Sequence, residues 1–107
     1  MSRTYNSLID LVGNTPLVEL KGFEKNNSLK ANIYGKLEYF NPTGSVKDRI
    51  AARMILDAEN AGLIHPGDTI IDNTSGNTGI SLAALAVPRG YKVVIAIEAG
   101  ESPERHQ

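Results

Sequence analysis

Thr69-Ile70-Ile71-Asp72-Asn73-Thr74-Ser75-Gly76-Asn77-Thr78-Gly79-Ile80-Ser81-Leu82-Ala83-Ala84-Leu85-Ala86-Val87 is the stretch on which the fold turns. Thr69 to Asp72 reads as a short buried strand, Asn73 to Gly79 as a polar loop, and about Ile80 to Val87 as a helix of small residues. Lys92 to Ile97, K-V-V-I-A-I, follows as a continuous apolar run. Such a run is typical of a parallel strand covered on both faces. Strand, helix, strand in that order predicts an α/β unit with a right-handed crossover.

Upstream of this unit, His65-Pro66-Gly67-Asp68 is a turn by composition. Before it, Val46, Ile50, Met54 and Ala58 recur every four residues, with Ile55 and Ala61 widening the stripe. That spacing predicts an amphipathic helix whose apolar stripe faces the core, with Gly62 as its stop. Ser45 followed by Asp48 fits an N-cap with an acid at the third helical position. Nearer the start, Thr15 to Leu20 is a strand candidate, Asn26-Asn27-Ser28 is turn material, and Asn32 to Tyr39 reads as a second strand with Ile33, Gly35, Leu37 and Tyr39 on one face. Pro88, late in the last helix, should end or kink it.

The remaining composition bounds the function. The 107 residues suffice for about one domain. Lys+Arg total 11 against 12 Asp+Glu, a formal net charge of -1, which gives no electrostatic reason to expect nucleic acid or an anionic membrane as partner. Cysteine is absent, which removes disulfides and thiolate metal sites and fits a cytoplasmic protein. His65 and His106 lack metal-ligand spacing, so no metal is expected, and no secretory or membrane-spanning segment is visible. After Ile97 the run Glu98 to Gln107 is polar and offers no helix to cover the last strand. The sheet is therefore expected to need a partner or a continuation.

Two segments could carry chemistry. Asn41-Pro42-Thr43-Gly44-Ser45-Val46-Lys47-Asp48-Arg49 sets Lys47 in the opening turn of a helix. The positive end of the macrodipole disfavours an ammonium there, and an uncharged amine is what attack on an aldehyde requires. Read alone, the segment is more readily a solvated lysine at a helix start. Thr74-Ser75-Gly76-Asn77-Thr78-Gly79 opens the next helix, where glycines let a ligand approach and free N–H groups attract an anion. Its hydroxyls and the Asn77 amide suit a carboxylate or phosphate. It lacks the spacing of a P-loop or a dinucleotide fingerprint, so alone it could be an ordinary capped helix.

Taken together, the two segments resemble the paired signatures of fold-type II pyridoxal-phosphate (PLP) enzymes, most closely cysteine synthase (O-acetylserine sulfhydrylase). Leu11-Val12-Gly13-Asn14-Thr15-Pro16-Leu17-Val18, Lys36-Leu37-Glu38-Tyr39-Phe40 and Pro66-Gly67-Asp68-Thr69-Ile70-Ile71 resemble that family as well, so the likeness spans nearly the whole chain. The fold it implies is a partial, truncated three-layer sandwich of the tryptophan synthase β-like type, with a largely parallel sheet. The activity it implies is β-replacement, making L-cysteine from O-acetyl-L-serine and sulfide, with PLP as cofactor and a homodimer as the full-length assembly. Lys47 would hold PLP and later take the substrate's α-proton. Asn77 would bond the ring 3′-oxygen, and Thr74, Ser75, Gly76, Asn77 and Thr78 would bind the substrate carboxylate.

Departures from the family pattern are local. Asp72-Asn73 stands where the family usually has Glu-Pro, and Ile97-Glu98-Ala99-Gly100-Glu101 replaces a Met-Pro-Glu-like stretch, although Ser102, Glu104 and Arg105 match. In the family, a glycine-rich phosphate cradle and a serine facing the pyridine nitrogen lie far downstream. Residues 1–107 are therefore expected to form the N-terminal part of such an enzyme domain, with catalysis needing the downstream part. Cystathionine β-synthase carries very similar strings and is the nearer rival. A non-catalytic module that kept the fold's first half and binds a partner or a small anion is the other alternative.

Overall fold

The computed structural model describes residues 4–73 and 76–97. Thr74 and Ser75 lie outside the described residues, as do Ser102, Glu104 and Arg105. Strand β1 (Leu17–Glu19) pairs antiparallel with β2 (Tyr34–Lys36), Leu17 opposite Lys36. Helix α1 (Lys21–Asn26), which the apolar pattern did not announce, links them. Strands β3 (Thr69–Asn73) and β4 (Lys92–Ala96) pair in parallel, Thr69 opposite Lys92 and Asn73 opposite Ala96. Helix α2 (Lys47–Asn60) precedes β3, and α3 (Asn77–Ala86) crosses over from β3 to β4.

Both early strands are shorter than expected. Backbone bonds from Leu20 N–H to the Ile33 carbonyl and from Leu37 N–H to the Pro16 carbonyl extend the pairing one step at each end. Beyond Leu37 the chain curls into a 3₁₀ turn, Glu38–Phe40, which takes Tyr39 off the predicted strand face and leaves it 64% exposed.

The core lies between the helix pair and one face of the parallel strands. Ala51, Ala52 and Ile55 of α2 meet Leu82, Leu85 and Ala86 of α3, with Ile9 and Tyr91 closing the ends and Ile70 and Val93 packing from the strands. Small residues at the contact let two helices approach closely. Only part of the apolar stripe predicted for α2 faces the core: Ile55 is buried, but Val46, Ile50 and Met54 are exposed, and Asp48, Ala51 and Ala52 are buried in their place. Bulk misled the reading. Beside Ile55, alanines and an acid whose two oxygens are both engaged occupy the positions that face α3.

Strand β4 also departs from expectation. Burial alternates along Lys92–Ala96, Val93 and Ile95 inward, and the outward Val94 is half exposed, beside Ile71 on β3 at 71%. Among the described residues helices cover only one face of this strand pair, so the apolar run is not sandwiched. No helix among these residues is long and apolar enough to cross a membrane.

The helix ends follow their local chemistry. Gly62 adopts the left-handed region just past α2, as a C-terminal glycine should. Helix α3 stops at Ala86, and Pro88 sits in the 3₁₀ turn Val87–Arg89 that follows. That turn ends on Gly90 at φ +97°, where an added Cβ would come within 3.2 Å of Pro66 Cβ. At its other end α3 begins earlier than predicted, so Asn77, Thr78 and Gly79 form its first turn rather than a loop.

Candidate functional site

The segment before α2 is a tightly bonded turn. Gly44 N–H donates to the Asn41 carbonyl at 2.8 Å, and Gly44 itself has φ +83°. Ser45 Oγ accepts the Lys47 N–H at 3.0 Å, and the Ser45 carbonyl accepts the Asp48 N–H at 3.2 Å. The N-cap is Val46 rather than the expected Ser45, whose hydroxyl still takes the first helical N–H, and Asp48 stands second in α2 rather than third. Lys47 is half-buried, and its side-chain amine has no hydrogen-bond or ion-pair partner among the described residues. That is unusual company for a charge.

Asp48 lies in the first turn of α2, as expected of an acid at the dipole, and its carboxylate is fully buried. Oδ2 accepts the Thr43 N–H at 2.8 Å, and Oδ1 accepts the hydroxyls of Thr43 and Ser81, each at 2.5 Å. Ser81 is also fully buried and lies one turn into α3 beyond Asn77. Burying a carboxylate is costly unless donors surround it, and three do. The result is a polar bolt joining the turn before Lys47 to the first turns of α2 and α3.

A second cross-link fixes the relative direction of the helices. Glu59, at the end of α2, accepts from Arg89 Nε at 3.1 Å and Nη2 at 2.5 Å, and from the Tyr91 hydroxyl at 2.7 Å, all beyond the end of α3. With starts joined by Asp48–Ser81 and ends by Glu59–Arg89, α2 and α3 run the same way. Both N-termini open at one end, the end where β3 stops at Asn73. Each carries a partial positive charge of about half a unit from its aligned peptides. The Arg89 guanidinium and then the Tyr91 hydroxyl hold the Glu59 carboxyl below the usual carboxylate range. Desolvation, then the bond to Glu59, pushes the Tyr91 phenol up.

At the mouth of α3, the N–H groups of Asn77 and Thr78 have no acceptor among the described residues. Gly76 leaves the approach open, since a Cβ there would meet nothing within 4 Å. Asn77 is exposed and Thr78 half-buried. The structure thus brings Lys47 and the Gly76–Thr78 turn to the same end of one helix pair.

Sequence reasoning missed the clamp beneath this end. Arg49 Nε and Nη2 hold both oxygens of Glu38, at 2.7 and 3.1 Å, and Nη2 also reaches the Gly13 carbonyl at 3.2 Å and Thr15 Oγ1 at 3.1 Å. Thr15 Oγ1 donates to Glu38 at 2.6 Å, and Asn41, itself 3% exposed, donates to Glu38 Oε1 and accepts the Gly13 N–H. Arg49, then Thr15, holds the Glu38 carboxyl at about 2. The signal was available as the charged pair Glu38 and Arg49 flanking the Lys47 segment, but their separation of 11 residues hid the contact.

Parallel helices on a parallel strand pair thus set Lys47, without a side-chain partner among the described residues, and a glycine-opened helix mouth at one end of an α/β unit. The chain belongs to the pyridoxal-phosphate dependent enzyme family, whose model matches residues 8–107. It is 52% identical over 98 residues to a cystathionine β-synthase of Apis mellifera, covering 92% of this chain and 19% of that protein. A probable cysteine synthase of Bacillus subtilis is also 52% identical, over 96 residues, covering 90% of this chain and 30% of that protein. The crystal structure of an O-ureido-L-serine synthase superposes with a TM-score of 0.86 at 47% identity, covering 96% of this chain and 32% of that one. These matches bear out the fold-type II architecture expected from the paired signatures. The chain spans about a third or less of the length of these relatives. The residues present fit the family's cofactor: a half-buried amine without a partner stands at the end where two helix N-termini offer their dipoles to an anion.

Proposed function

We propose that this chain forms the opening part of a PLP enzyme domain that makes L-cysteine from O-acetyl-L-serine and sulfide. Lys47 would hold the cofactor through its amine. When bound, PLP supplies an electron sink for the charge left at the substrate α-carbon. Once the substrate amine displaces it from the cofactor, the freed Lys47 amine would take the α-proton, and acetate would leave from the β-carbon to make way for sulfide. Asn77 donates to the ring 3′-oxygen. Thr74, Ser75, Gly76, Asn77 and Thr78 bind the substrate carboxylate with hydroxyls and first-turn N–H groups, holding the Cα–H bond near Lys47. The observation that carries this reading is the shared opening of α2 and α3, bolted by Asp48 and Ser81.

The matching identity to cystathionine β-synthase favours a second reading, in which a thiol amino acid replaces sulfide and cystathionine is the product. A chimera joining this chain to the downstream part of the 52%-identical cysteine synthase tests both readings. Supplied with O-acetyl-L-serine and either sulfide or homocysteine, it should release L-cysteine, and Lys47→Ala should abolish release. Cystathionine as the dominant product would replace the first reading with the second. Full activity in Lys47→Ala would overturn both.

A further inference from the structure

We propose that Asp48 is a positioning residue: through Ser81 it fixes the rotation of α2 about its axis and so aims Lys47. The inference rests on the reading of Lys47 as the cofactor-holding lysine. Successive residues of a helix point about 100° apart. Once the Asp48 side chain is pinned against α3, the direction of Lys47 follows.

Among the described residues no other first-turn side chain of α2 bonds to α3; Arg49 anchors that turn instead to Glu38, Gly13 and Thr15. The apolar contacts Ala51, Ala52 and Ile55 begin a turn later, and Val46 and Ile50 are exposed. Hydrophobic contacts also tolerate small rotations, whereas hydrogen bonds of 2.5 and 2.8 Å to a buried carboxylate do not. A slip of ~20° would carry an amine ~8 Å from the helix axis through about 3 Å. Displacements of that order remove much of the advantage of a placed reactive group. Thr43, bonded to the same carboxylate through its N–H and hydroxyl, ties in the turn before Lys47.

The test uses the chimera with the downstream part of the cysteine synthase, mixed with PLP and trapped with borohydride, each lysine of residues 1–107 being scored by peptide mass mapping. Lys21, Lys25, Lys30 and Lys92 serve as internal references. In the parent chimera Lys47 should label at least about tenfold over these references, and Ser81→Ala and Asp48→Asn should each reduce that preference about tenfold. Ser81→Thr, which keeps the hydroxyl, should restore it. Loss of folding would show as increased labelling of Lys36, whose amine is tied to the Thr15 carbonyl, and in the circular dichroism spectrum. If Asp48→Asn does not fold, Ser81→Ala decides alone. An unchanged Lys47 preference in folded Ser81→Ala overturns the positioning role while leaving the cofactor reading intact. Absence of preference in the parent chimera removes the cofactor reading, and the positioning role with it.

Discussion

Removing the Ser81 hydroxyl should cost far more than a surface serine, and the structure gives the size. Ser81 is fully buried, and its bond to Asp48 is short. A hydrogen bond to a charged group contributes roughly 1.5–3 kcal/mol net, so Ser81→Ala should lower stability by about that much. Asp48→Ala strips acceptors from three donors at once and should cost about 3–5 kcal/mol. The two losses share one bond and cannot add. In the Asp48→Ala background, Ser81→Ala should cost under about 1 kcal/mol, leaving a coupling of about 1–2 kcal/mol. Urea unfolding followed by circular dichroism reads these values directly. With a slope of about 1 kcal/mol/M for a chain this small, Ser81→Ala should move the midpoint down by roughly 1.5–3 M. A shift below roughly 0.5 M, or simple additivity of the two substitutions, would refute the bolt between α2 and α3.

Other expectations follow from separate contacts. Glu38 in the folded chain titrates at about 2 against an ordinary 4.5, so the unfolded chain binds more protons between those values. The stability Glu38 contributes is therefore complete above about pH 4.5 and lost as pH falls toward 2. Thermal melts across that window should show a falling midpoint, with a shallower fall in Glu38→Gln. Gly90→Ala forces a side chain into the left-handed region against Pro66 and should destabilise by about 1–2 kcal/mol in urea unfolding. Gly22→Ala in α1, where a Cβ meets nothing within 4 Å, should instead stabilise by about 0.5–1 kcal/mol.

The βαβ core was readable because its signals are local. Ile70-Ile71, the glycines before α3, and Val93 to Ile95 each announce their element within a few residues, and Pro88 and Gly62 marked ends that the structure keeps. The burial of α2 was not readable from bulk. Of its core face only Ile55 belonged to the apolar stripe; the rest is Ala51, Ala52 and an acid, and only knowledge of Ser81 across the interface makes Asp48 an inward residue. Helix α1 escaped notice because Lys21–Asn26 has no buried residue to create a period. Of the site, Lys47 and the Asn77 turn were legible as motifs. The Arg49–Glu38–Thr15 clamp was not, because it joins three segments whose proximity only the fold creates.

Lys47 and the mouth of α3 should lie within reach of one another, as helices packed about 8–10 Å apart with aligned starts allow. The chain contains no cysteine, so Asn77→Cys introduces a unique thiol for a short amine–thiol cross-linker. Peptide mapping should find position 77 joined intramolecularly to Lys47 ahead of every other lysine. A thiol that couples instead to Lys21, Lys25 or Lys92, or to no lysine of its own chain, would contradict a common opening.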